Sequence, residues 1–336
     1  MLMLRIVGSD RFRRSAWIFA ALLGVGACPA PAFAQTVLYF SVGDVVDRYN
    51  LQSNTLTPGF ISQSESTGVA VNSAGNVFVG STNLPDAGAG VMQFDKAGNQ
   101  VGSDFVSFVG NPPSQQVNNP TGMVFGPNGD LYVPDATSSI VQVYGPNGAY
   151  VTTLTGDDLS GPTDVAFDSS GNLYSVGSGV VVVSAGGTST FTDFFPVETG
   201  GLINPVALAW SSDGTLYVVD IGGGADRILR YNANGSFNGV FANLDTDFGG
   251  VGLTPSGMAI APNGTIYIAG QSNDSGDNVV VDYANGSYGG VVTDAGFISN
   301  DRMSIAVTTV PEPGTWALAM GGVSLLFAFL KRKFGR

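Results

Sequence analysis

The sequence predicts an all-β chain, a six-bladed β-propeller over residues 35–309, followed by a C-terminal transmembrane helix. Three observations predict it. A strand, glycine turn, strand unit recurs as "GVAVNSAGNVFV" from Gly68, "GMVFGPNGDLYV" from Gly122, "DVAFDSSGNLYS" from Asp164, "ALAWSSDGTLYV" from Ala207 and "GMAIAPNGTIYI" from Gly257. A second hairpin follows each, as in "IVQVYGPNGAYVTTL" and "ILRYNANGSFNGVF", so that one unit holds four antiparallel strands. The two ends of the region supply the parts of a sixth unit.

Residues 1–34 come first and stand outside the fold. Arg11, Arg13 and Arg14 precede an apolar run over 16–27, and Ala32-Phe33-Ala34 supplies the small residues that a signal peptidase reads. Cleavage is expected between Ala34 and Gln35, which exports the chain. Cys28 after Val25-Gly26-Ala27 leaves a lipoprotein reading open.

From Val37, "VLYFSVGDVVDRYNLQSNTLTPGF" reads as three strands of a unit without its first. The first is found near the other end, where "MSIAV" over 303–307 places Ala306 in line with Ala70, Ala166, Ala209 and Ala259. Sharing one blade between the termini covers the sheet edges that an open array would expose. The recurring alanine is a small residue where blades converge on the axis. The turn glycines Gly75, Gly129, Gly171, Gly214 and Gly264 supply the positive φ of tight hairpins. No helix is indicated in this region.

The loops fall into two classes. First and third turns are tight, whereas the connections over 80–90, 107–121, 195–205, 243–256 and 269–278 are long and share the opposite face. Binding residues are expected on that long-loop face. Its ligand candidates are Asp86, Asp135, Asp220, Asp226, Asp274 and Asp277. Asp135 and Asp220 both end second strands, so they are expected to approach the axis together and to hold a calcium ion or a sugar hydroxyl, or else to cap a turn. "DTDFGG" and "NDSGDN" also offer clustered oxygens, without the spacing of the twelve-residue calcium loop.

The chain ends on "VPEPGTWALAMGGVSLLFAFLKRKFGR" over 310–336. Residues 315–330 carry no charge and would reach roughly 24 Å as a helix, near the shortest spanning length. Lys331, Arg332, Lys333 and Arg336 would stay cytoplasmic, leaving the bulk of the chain outside. The order Pro311-Glu312-Pro313, apolar helix, basic cluster resembles the PEP-CTERM sorting signal of Gram-negative bacteria. That resemblance implies processing near the Pro-Glu-Pro by an exosortase-type membrane enzyme, in organisms that make exopolysaccharide. It also implies a path from inner-membrane-anchored precursor to cell surface or extracellular matrix. The repeated units resemble NHL repeats, a family that includes binding scaffolds and some enzymes, so the fold alone selects no function.

Composition narrows the choice. Of the 13 basic residues four lie in 1–34 and four in 310–336, and two of the 26 acids lie there, which leaves the ectodomain at −19. Such a surface repels phosphate backbones and excludes nucleic acid as a partner. The single cysteine, Cys28, leaves with the signal peptide, so no disulfide staples the ring. Histidine is absent, which removes Ser-His-Asp sites, histidine metal centres and histidine proton shuttles. No catalytic residue stands out. The expected function is therefore an exported surface or matrix-associated binding or scaffold protein, with exopolysaccharide or surface proteins as partners. The alternative is an extracellular metal-dependent propeller hydrolase, lactonase or lyase, which would have to be built on Asp and Asn.

Overall fold

The computed structural model describes residues 35–310 except 85–87, 107–111, 188–189, 196–198, 225, 248–251, 273–277 and 295–302. Gln35–Val310 forms one unit. Blade 1 is completed by both ends of that unit: Ile305–Val310 pairs antiparallel with Gln35–Val42, from Phe40 against Ile305 to Gln35 against Val310. Val45–Asn50 and Thr55–Ser62 follow outward. The closure expected from "MSIAV" is thus present.

Blade 2 holds Ser66–Val71, Val77–Leu84 and Gly88–Phe94, and two isolated bridges, Val91 to Val106 and Phe94 to Gln100, mark its outer edge in place of a fourth strand. Blade 3 runs Val124–Phe125, Leu131–Asp135, Ile140–Tyr144 and Tyr150–Leu154. Blade 4 runs Asp164–Phe167, Leu173–Gly177, Val180–Ser184 and Thr192–Asp193. Blade 5 runs Pro205–Trp210, Leu216–Asp220, Arg227–Tyr231 and Phe237–Asn243. Blade 6 runs Leu253–Ile260, Ile266–Ser272, Asn278–Ala284 and Ser287–Asp294. Among the described residues the strands are interrupted by one short α-helix, Leu244–Asp247, and by three 3-10 turns, Pro113–Gln115, Ala185–Gly187 and Thr199–Gly201.

Each blade is covered on both faces, which explains why its strands read as nearly continuous apolar runs. In Gln35–Val42, Val37 and Tyr39 pack toward blade 2 while Leu38 and Phe40 pack toward blade 6, as the period of two requires. The same alternation yields a core cluster between every consecutive pair of blades around the ring. Residues 35–310 therefore contain every inter-blade core and can fold without the segments on either side.

The inner strands approach one another so closely that side chains become the limit. A Cβ on Gly68 would lie 2.2 Å from the Thr121 carbonyl oxygen, and one on Gly257 would lie 2.7 Å from that of Met303. Hydroxyls bridge neighbouring blades at the same level: Thr163 Oγ1 donates to the Val206 carbonyl at 2.9 Å and Ser256 Oγ to that of Met303 at 3.1 Å. Gly68→Ala is expected to destabilise by roughly 1–3 kcal/mol, because the atom it meets is backbone and cannot swing aside. Chemical denaturation would read this, with Gly145→Ala as a control, since its nearest neighbour at 3.3 Å is a side-chain atom.

Candidate functional site

The carboxylates expected to form a site are engaged in holding connections. Asp135 is fully buried; its Oδ2 accepts the Asn118 N–H at 2.9 Å and the Ser138 hydroxyl at 2.9 Å, and its Oδ1 accepts the Thr137 N–H at 3.1 Å. Asp220, also fully buried, accepts the Ile203 and Asn204 N–H groups at 2.8 Å each on Oδ1, while Arg227 Nη2 donates to Oδ2 at 2.9 Å. Both close the last residue of a second strand onto the connection arriving from the preceding blade. Ser81, three residues after Phe78 and inside the second strand of blade 2, ties down the arriving connection in the same way, donating to the Ser64 carbonyl at 2.6 Å. In blades 4 and 6 the position is Gly177 and Gly270, where the connection's own backbone packs against the glycine. Asp135 and Asp220 share no hydrogen-bond partner, and neither lines the axial cavities described below.

Asp226 is brought near two acids, Asp245 and its fellow candidate Asp220. Its Oδ1 accepts the Gly222 N–H at 2.9 Å, and its own N–H donates to Asp245 Oδ2 at 2.8 Å. Burial first, then repulsion by Asp245 and Asp220, holds its carboxyl above the usual carboxylate range. Among the described residues no group of three or more Asp, Glu, His or Cys is arranged to hold a metal ion. Asp86, Asp274 and Asp277 lie outside the described residues, as do Ala34, the motif Pro311, Glu312 and Pro313, and the apolar segment expected to span. Among the described residues no helix is long and apolar enough to cross a membrane. Gln35 opens the first strand.

A run of connected cavities follows the axis and opens on the tight-turn face. Ala70, Ala166, Ala209, Ala259 and Ala306 line one axial channel of about 280 Å³, so the recurring alanine does mark the point of convergence. At its long-loop end the channel narrows to about 30 Å³ between Thr67, Thr121, Thr163, Asp164, Ser256 and Ser304, which is room for little more than a water molecule. At the other end it widens into a funnel of about 550 Å³ that shares Phe167, Trp210, Ile260 and Val307 with the channel. Asp168, Ser211, Ser212, Thr308 and Thr309 add polar groups around this mouth. Blade 1 has no first turn there, because Gln35 pairs with Val310 and the described unit ends at that rim.

The aromatic side chains of the mouth are fixed by the preceding blades. Between ring centroids, Phe78 packs edge-on against Phe125 at 4.7 Å and Tyr132 edge-on against Phe167 at 4.9 Å, while Tyr174 packs tilted against Trp210 at 4.8 Å. Each buttress is the second residue of a second strand, so the repeat itself rigidifies the funnel. Asp168 caps its own turn, accepting the Asn172 N–H at 2.8 Å and the Tyr174 hydroxyl at 3.1 Å. The mouth thus combines rigid aromatic surface with hydroxyls, the usual composition of a small-molecule site.

Loop length pointed the sequence reading to the opposite face, and Phe167 and Trp210 were not among its candidates. The signal was present one residue beyond the aligned alanine, where Val71, Phe125, Phe167, Trp210, Ile260 and Val307 form a column with three aromatic members.

No family model matches the chain, and no curated protein matches it. Solved structures match at the level of the fold. A chain of a nidogen/laminin complex is similar at 14% identity with a TM-score of 0.57, covering 81% of this chain and 98% of that one. A protein of unknown function from Bacteroides caccae is similar at 13% identity with a TM-score of 0.58, covering 83% and 100%. A virginiamycin B lyase from Staphylococcus aureus is similar at 15% identity with a TM-score of 0.50, covering 80% and 78%. At these identities the likeness establishes a six-bladed propeller, a fold that serves binding proteins and enzymes alike.

Proposed function

We propose that the chain is an exported, surface- or matrix-associated binding protein whose axial funnel takes a neutral polysaccharide. The observation that supports this reading best is the funnel, with Trp210 and Phe167 held rigid beside Ser212, Thr308 and Thr309. The C–H face of a sugar ring is apolar and packs on an indole, while its hydroxyls need short polar partners nearby. An ectodomain at −19 disfavours a polyanionic glycan, which leaves neutral or cationic strands. The enzymatic alternative draws on likeness to a lyase, one solved form of which is a catalytically inactive His-to-Ala replacement. This chain holds no histidine with which to reproduce that chemistry.

Delivery rests on the two ends of the sequence. Residues 1–34 act as a signal peptide, and 310–336 act as a PEP-CTERM-type tail processed by an exosortase-type enzyme, releasing the propeller to the surface or matrix. Proline disfavours helix at its own and the preceding position, which suits Pro311-Glu312-Pro313 to recognition by such an enzyme.

Two experiments test the halves separately. Immobilised neutral polysaccharide from the host matrix should retain residues 35–310, and Trp210→Ala should weaken retention about thirtyfold, or ~2 kcal/mol, as loss of a central aromatic anchor does. Retention unchanged by that substitution removes the funnel from the account. In the native host an epitope before Thr309 should part from one appended after Arg336, and replacing Pro311, Glu312 and Pro313 with alanine should leave one membrane-bound species. Both epitopes remaining on one polypeptide in wild-type cells would make the tail an ordinary anchor.

A further inference from the structure

Below the funnel the axis carries one charged group. Asp164 stands in the column otherwise filled by Gly68, Gly122, Ala207, Gly257 and Ser304. Its carboxylate lies between the two flanking blades at the axis: Oδ2 accepts the Leu208 N–H of blade 5 at 3.0 Å, and Oδ1 lies 2.1 Å from where a Cβ on Gly122 of blade 3 would be. Oδ1 also accepts its neighbour's N–H, from Val165, at 2.9 Å. Those bonds fill about half of the four acceptor positions of a carboxylate.

Architecture does not demand this charge. In blade 1 the same position is Ser304, whose hydroxyl accepts the Val69 N–H of blade 2 at 3.2 Å. A neutral oxygen therefore suffices to cap the next blade, and a carboxylate at this level is surplus to that task. No cation offsets it. Among the described residues lining the narrow end and the channel there is no Lys, Arg, Tyr, Glu or second Asp. In the same lining the Thr67 hydroxyl is buried without a partner. Loss of solvent pushes the Asp164 carboxyl up to about 7, against the opposing pull of the Leu208 and Val165 N–H groups.

We propose that the channel binds a protonated primary amine on an unbranched apolar stem, its ammonium seated on Asp164 and its stem lying along the alanine ring. Charge complementarity selects the head group, because the channel holds one unpaired carboxylate in an otherwise apolar tube. Shape selects the stem. Asp164 and Phe167 at the mouth are three positions apart, about 10 Å along the strand, and the alanine ring borders that stretch together with the unbranched or apolar side chains of Met123, Leu208 and Met258. The aromatic faces of Phe167 and Trp210 at the mouth favour passage of a cation. This site lies deeper than the sugar-binding mouth and does not depend on it.

Calorimetry of residues 35–310 with n-hexylammonium chloride and with 1-hexanol, at pH 8 and pH 6, tests the proposal. The ammonium should bind at pH 8 at least tenfold more tightly than the alcohol. Binding should weaken about tenfold at pH 6, one unit below the carboxyl's titration, because the protonated acid must first lose its proton. Asp164→Asn should weaken it tenfold or more, and Ala166→Leu should block the tube without touching the carboxylate. If Asp164→Asn fails to fold, the alcohol comparison and Ala166→Leu decide alone. Absence of ammonium binding at pH 8, equal affinity for the alcohol, or wild-type affinity in a folded variant would each overturn it.

Discussion

Removing residues 303–310 should abolish cooperative folding. The deletion takes away the inner strand of blade 1 and leaves the Gln35–Val42 edge unpaired along its length. It also removes Met303 and Ile305, both buried in the cluster between blades 6 and 1, and the Ser304 contacts to Ser41 and Val69. No disulfide holds the ring, so closure rests on this strand alone. The stability at stake is that of the whole domain, roughly 5–15 kcal/mol, and the freed edges are templates for association. Size-exclusion chromatography and thermal unfolding would check this; a monomer with unchanged melting temperature would mean the ring is not closed by its C-terminal strand.

Asp220→Ala should be the most damaging single substitution among the acids, at about 3–5 kcal/mol, because it strands the Arg227 guanidinium and two connection N–H groups at once. The exposed Asp157→Ala should stay within about 0.5 kcal/mol. Urea unfolding of both variants separates a latch from a ligand. A loss of stability confined to Asp220→Ala fits the latch, whereas unchanged stability together with weakened calcium binding would restore the metal-site expectation.

The fold was legible because every blade repeats the same local signals. Gly75, Gly129, Gly171, Gly214 and Gly264 all adopt positive φ at the expected turns, and Ala306 falls in line with the other axial alanines. Ring closure was legible too, since the missing strand could be matched at the far end. The site was not. Its members come in short runs, such as Trp210-Ser211-Ser212 and Thr308-Thr309, from the ends of inner strands in different blades, and no run marks itself as a site. Long loops drew attention to the face where the described axis narrows, although loop length reports where a chain has freedom and not where a cavity opens. Asp135 and Asp220 illustrate the same gap, because sequence places an acid at a strand end but does not say which N–H groups it meets. Asp164 was readable in principle as the lone acid in a column of small residues.

The central claim is that the tight-turn funnel is the binding surface of this propeller. Trp210 is the only tryptophan in residues 35–310, so intrinsic fluorescence reports that surface directly. Titration of residues 35–310 with neutral oligosaccharides cut from the host matrix should give a saturable change in Trp210 emission, and Phe167→Ala should lose it while keeping the fold. Emission that stays flat into the millimolar range, or a titration unaffected by Phe167→Ala, would contradict the account.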